Sequence, residues 1–112
     1  MKQVTSITSD SKQFMTIPLD DNNGEVEFRL YYLATQYSWY YDFVYKDYTS
    51  NGNKVVLTPN ALRHLRKILP FGIAFVAEGN IEPFKQDDFE TERVQMIILN
   101  QTDIEEIEDI YG

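Results

Sequence analysis

The stretch Tyr31–Tyr48 restricts the fold of this chain more than any other. It reads Y-Y-L-A-T-Q-Y-S-W-Y-Y-D-F-V-Y-K-D-Y, and it holds seven of the eight tyrosines and the only tryptophan. Its aromatics do not recur at the three- and four-residue spacing of a helix. From Trp39 onward they alternate. Trp39, Tyr41, Phe43 and Tyr45 share one face; Tyr40, Asp42, Val44 and Lys46 share the other. Period two in large aromatic and β-branched side chains marks a β-strand. The second face also carries Tyr40 and Val44, so this strand is expected to be central, with the rest of the chain pairing with it or packing on it.

The flanking sequence supports a meander. Gln13–Leu19 alternates, with Met15, Ile17 and Leu19 on one face, and Pro18 places it at a sheet edge or ends it there. Asp20-Asp21-Asn22-Asn23-Gly24 suggests a calcium loop, but with Asp20 as first ligand the sixth position is Glu25, where glycine is needed. Asn23-Gly24 instead reads as a hairpin turn, because both residues tolerate positive φ. Glu25–Leu33 turns Val26, Phe28, Leu30 and Tyr32 inward and Glu25, Glu27, Arg29 and Tyr31 outward. Tyr48–Asn53, with Asn51-Gly52, reads as a break before a short strand at Lys54–Leu57.

Thr58 changes the period. Thr58 suits an N-cap and Pro59 the first helical position. Leu62, Leu65 and Leu69 then share a face, which predicts a helix of about two to three turns. Arg63, His64, Arg66 and Lys67 form its basic faces, to be answered by acids elsewhere in the chain or by an acidic partner. Gly72–Ala77 reads as a buried strand. Arg93–Gln101 is apolar on both faces, so it is central or covered. Thr102 and Glu105 match a capping box. Ile104, Ile107 and Ile110–Tyr111 form a stripe in an acidic helix that needs a surface to lie on, either this domain or a neighbouring subunit.

The expected architecture is mainly β: a small antiparallel barrel or sandwich, with one short helix near 59–68 and a short helix or acidic tail at the C-terminus. Residues 1–12 form an extended arm, disordered when alone; 13–101 form one β-domain; 102–112 form the tail. A chain of 112 residues supports one core. With no cysteine, disulfides and thiolate metal sites are excluded. No secretory signal or membrane-length apolar run is seen. The net charge of −8 argues against nucleic acid, because phosphate repels it. The only histidine, His64, stands among basic residues. There is no glycine-rich phosphate loop and no nucleophile elbow, and the carboxylate pairs Asp87–Asp88 and Glu90–Glu92 lie in polar loops. No enzyme, cofactor or metal site is therefore expected. A small hydrolase with a carboxylate site is the weakest of the readings.

Three stretches carry a resemblance. Phe14–Asp20 with Val26–Tyr32 is similar to the opening hairpin of the baseplate plug proteins of contractile-tail phages. Ser38-Trp39-Tyr40-Tyr41-Asp42-Phe43 resembles that family's tryptophan-to-aspartate strand. Leu69–Gly72 and Asp87–Val94 resemble its closing half. The likeness spans residues 13–100. It implies a virion structural protein of a tailed phage, made in the host cytoplasm. Such a protein fills or seals the tail axis near the spike and tail hub, as a homo-oligomer held by protein–protein contacts. The residues expected at those contacts are Trp39, Tyr40 and Tyr31, the basic Arg63, Arg66 and Lys67, and Ile104, Ile107 and Tyr111 of the tail. The alternative from the residues alone is a small soluble phage-encoded module or regulator that binds a protein partner.

Overall fold

In a computed structural model, which describes residues 1–20 and 22–111 (for Tyr111 the backbone only), the chain folds into two antiparallel sheets facing each other, with one helix at the end. The strands are β1 (Lys2–Gln3), β2 (Lys12–Pro18), β3 (Glu25–Leu33), β4 (Ser38–Tyr45), β5 (Tyr48–Lys54), β6 (Gly72–Ala77) and β7 (Val94–Leu99), followed by helix α1 (Gln101–Tyr111). The larger sheet has the order β2-β3-β4-β5, and the smaller has the order β1-β7-β6. The fold is mainly β and sandwich-like. Among the described residues the sheets do not close into a barrel.

The alternation read from sequence is what builds the core. Trp39, Tyr41, Phe43 and Tyr45 are all buried, as are Val26, Phe28 and Leu30 opposite them on β3. From the smaller sheet Ile73, Phe75, Val94, Met96 and Ile98 meet them in one cluster. Phe28 stacks on Tyr41 with centroids 5.4 Å apart, and Phe75 tilts onto Tyr41 at 5.5 Å. Burial pushes the Tyr41 phenol up to about 12.

Three expectations change. The turn after β4 is Lys46–Asp47, with Tyr45 paired to Tyr48 and Lys46 at φ 50°. Asn51-Gly52 therefore lies inside β5, as a bulge opposite Asp42. Gly52 takes φ 70° there, and its N–H donates to Asp42 Oδ1 at 2.7 Å.

The second change is at 58–69, which is not a helix of two to three turns. Only a 3₁₀ turn at Arg63–Leu65 forms. Thr58 and Phe75 exchange backbone hydrogen bonds, and Ala61 N–H donates to Ile73 O. The buried Asn60 accepts from Leu62 N–H and Ile73 N–H through Oδ1. Thr58 O and Leu62 N–H, which a helix would pair with each other, go instead to Phe75 N–H and Asn60 Oδ1, and the orphan first-turn donors of Thr58 and Ala61 are satisfied at the edge of β6. Leu62, Leu65 and Leu69 are nonetheless buried. Asn60 also explains Gly72: a Cβ on residue 72 would stand 2.6 Å from Asn60 Oδ1.

The third change concerns the two ends. The arm is extended but not free. Lys2 and Gln3 pair with β7, Val4 N–H donates to Met96 O, and Ile7 is buried. The tail is helical, but its cap is Asn100 rather than Thr102. Asn100 Oδ1 accepts from Asp103 N–H at 2.8 Å, and Asp103 Oδ2 accepts from Asn100 N–H at 3.0 Å. This is the reciprocal box two residues earlier. Helix α1 lays Ile104 and Ile107 on Ala74, Ile97 and Leu99, the outer face of the smaller sheet. Its surface is this domain.

Candidate assembly surface

The outer face of the larger sheet is set by the same alternation that fills its inner face. Register places Phe14, Arg29 and Asp42 in one row across β2, β3 and β4. The next row is Thr16, Glu27 and Val44, and on the other side lie Lys12, Tyr31 and Tyr40. Phe14 is 77 % exposed. A groove of about 420 Å³ runs between Phe14, Thr16, Glu27, Arg29, Asp42 and Val44.

Side chains on this face hold one another flat. Tyr31 and Tyr40 stack with centroids 5.9 Å apart and planes 22° from parallel. Arg29 lies 4.4 Å over the Tyr31 ring, and its Nε is 3.3 Å from Asp42 Oδ2, an ion pair without hydrogen-bond geometry. Tyr31 hydroxyl donates to Asp42 Oδ1 at 3.3 Å. Burial and the neighbouring Asp42 carboxylate raise the Tyr31 phenol above its ordinary value, against the opposing pull of Arg29. Tyr40 hydroxyl bonds the Gln36 side chain. The result is a rigid aromatic and charged patch, with little rotamer freedom left to lose on binding.

A second cluster closes one end of the sandwich. Asp88 is buried and receives four donors: Phe84 N–H and Lys85 N–H on Oδ2, Arg93 Nε on Oδ1 at 2.9 Å, and Arg93 Nη2 on Oδ2 at 2.8 Å. Burial alone would raise its carboxyl. The Arg93 guanidinium and the two amides outweigh burial and hold it below the usual carboxylate range. Arg93 is raised in turn, first by its hydrogen bond to Asp88. The loop so fixed accepts Trp39 Nε1–H at Lys85 O (3.0 Å) and Tyr32 hydroxyl at Phe84 O (2.7 Å), tying it to the larger sheet. The sequence reading placed Asp88 in a polar loop and missed this pair. The cue was the single Arg93 immediately before an apolar strand, five residues from an acid.

The nine residues expected at contacts do not form one site. Tyr31 and Tyr40 stand together on the outer face just described. Trp39, 0 % exposed, is core and offers no surface. Arg63 Nε pairs with Glu108 Oε2 at 3.0 Å, and Arg66 also pairs with Glu108, so both answer the tail of their own chain. Lys67 is exposed. Ile104 is buried and Ile107 half-buried against the smaller sheet. The Tyr111 side chain lies outside the described residues. Phe14 and Asp42, absent from that set, border the groove.

A family model described as cyanophage baseplate Pam3 plug gp18 matches residues 1–101. The chain belongs to this family. The match takes in both sheets, the outer-face patch and the Asp88–Arg93 pair, and it ends as helix α1 begins. The resemblance read from Phe14–Asp20, Ser38–Phe43 and Asp87–Val94 therefore identified the family, and baseplate membership makes the chain virion-associated. No curated protein matches the chain. Among the described residues, no helix is long and apolar enough to cross a membrane.

Proposed function

We propose that this chain is a structural part of a contractile phage tail: a baseplate plug, or a neighbouring baseplate protein, set close to the tail hub and spike. It acts by protein–protein contact, as a homo-oligomer in the assembled particle, after synthesis in the host cytoplasm. The family match over residues 1–101 carries this reading.

The mechanism is mechanical. The sandwich supplies a stiff body, because its two inner faces share one aromatic core. The outer face of the larger sheet supplies contact area, with Tyr31, Tyr40 and Phe14 as anchors around a groove. Tyrosine and arginine in fixed poses are the side chains that dominate binding energy in protein interfaces. No bond is made or broken, so neither a catalytic residue nor a cofactor is required.

Quantitative mass spectrometry of purified virions tests the reading. A fixed low copy number alongside the tail hub and spike proteins is the expected result. Absence from intact particles, together with a discrete host protein recovered in pull-downs, overturns it in favour of a soluble binding module.

A further inference from the structure

The two sheets have four edges, and three of them are blunted. β1 is two residues long. The outer edge of β6 is occupied by Thr58 and Ala61, which hydrogen-bond to Phe75 and Ile73. β5 is broken by the Asn51-Gly52 bulge. Such devices stop sheets from pairing edge to edge. β2 is different. It pairs without interruption with β3 from Lys12 to Pro18, and among the described residues no strand lies on its other side.

The phase of the ladder says which groups are open. Tyr32 N–H donates to Ser11 O at 2.8 Å, so Ser11 and Tyr32 form a hydrogen-bonded pair. Alternation then directs the amides and carbonyls of Gln13, Met15 and Ile17 to β3, and those of Lys12, Phe14 and Thr16 away from it. No described backbone group bonds these three. Pro18 has no N–H and closes the open stretch at its far end.

The geometry points to self-pairing of β2: two copies of this chain join their β2 edges antiparallel about a two-fold axis at Phe14, making one continuous sheet of eight strands from two four-stranded ones. The occupant is a second copy because the stretch complements itself. With Phe14 on the axis, each Lys12 faces Thr16 of the other copy, and Thr16 is paired with Glu27 on the strand behind it. Each ammonium is thereby directed toward a carboxylate across the joint. The two Phe14 rings, both on the outer face and 77 % exposed in the single chain, become direct cross-strand neighbours. The same patch on both copies closes the assembly at two, as an isologous interface must. This pairing does not depend on the baseplate reading: it is a property of the purified chain, while that reading is tested in virions.

Amide hydrogen exchange and sedimentation of the purified full chain, from micromolar to millimolar, test it. A dimer is expected, with protection rising about tenfold or more at the amides of Lys12, Phe14 and Thr16 while those of Gln13, Met15 and Ile17 are already protected in the monomer. Thr16→Pro deletes a donor that faces only the partner, so it should weaken dimerisation at least about tenfold with the monomer still folded by circular dichroism. Phe14→Lys places like charges on the axis and should do the same without touching the backbone. A chain that stays monomeric at millimolar concentration overturns the proposal. So does a dimer that survives both substitutions, or one whose Phe14 and Thr16 amides exchange as freely as in the monomer.

Discussion

The two sheets bury their inner faces in the same way and treat their outer faces in opposite ways. On the smaller sheet the outer face is apolar, with Ala74, Ile97 and Leu99, and helix α1 covers it with Ile104 and Ile107. On the larger sheet the outer face mixes Tyr31, Tyr40, Arg29 and Asp42 with an exposed Phe14, and it stays open. The first face could not stay uncovered in water at tolerable cost, since apolar area removed from water is worth about 25 cal/mol per Å². The second tolerates water as it stands, because Tyr31 and Tyr40 carry hydroxyls, Arg29 is paired with Asp42, and Phe14 is its one fully apolar aromatic. The covered face is finished within the chain, and the open one is available for assembly.

Three substitutions probe the shared frame, the covered face and the open face in turn. The deepest of these is the frame that both sheets share. Asp88→Asn removes the charge from a buried pair and should cost about 3 kcal/mol at neutral pH, the low end for such pairs because the Arg93 side chain is 22 % exposed. The folded carboxyl is depressed, so its contribution is complete above the ordinary carboxylate pKa of about 3.9 and fades as pH falls through the lower folded value. Urea titrations should therefore separate variant and parent at pH 7 and bring them together in strong acid. Equal stability at pH 7 would show that the clamp does not hold the frame.

Next comes the covered face. Ile104→Ala should lower stability by about 2 kcal/mol, since Ile104 is 3 % exposed and its loss leaves a gap over Leu99 and Ala74. A thermal melt of the variant as a monomer reads this directly. An unchanged melting temperature would mean the helix is not a working cover, and the contrast between the faces would collapse. The smallest effect belongs to the open face. Tyr40→Ala should change monomer stability by less than about 1 kcal/mol, the scale of a cross-strand pair. It should nevertheless reduce incorporation into particles in a complementation assay. A large stability loss with normal incorporation would make the outer patch structural.

Much of the fold was legible in the residues. Alternation in Glu25–Leu33 and Trp39–Tyr45 gave two strands and their buried faces, because side-chain period and backbone pleat are the same fact. Gly72–Ala77 was legible as a buried strand from its unbroken apolar run. The order of aromatic and turn motifs was enough for the family. The helix expected at 58–69 was not found, although its leucines are core. Their spacing reported burial correctly, but Thr58 O accepts from Phe75 N–H at the edge of β6 and Leu62 N–H goes to Asn60 Oδ1, so the bond that would open a helix is not made. Of the expected contact residues, Tyr31 and Tyr40 stand on an open face, whereas Trp39 and Ile104 are internal. Sequence marks an aromatic or an isoleucine as in need of cover and is silent on which chain supplies it.

The residues alone settle local matters: strand faces, an edge or an end for the strand at Pro18, a capping box two residues from where it forms, and the acidic balance. Tertiary structure alone decided three others. It paired Arg63 and Arg66 with Glu108, joined Asp88 to Trp39 through the Lys85 carbonyl, and left β2 as the one uninterrupted edge among the described residues. The physical reason is separation along the chain. Period and propensity act over a few residues, while these contacts join groups 42 to 46 positions apart or depend on which strands failed to meet.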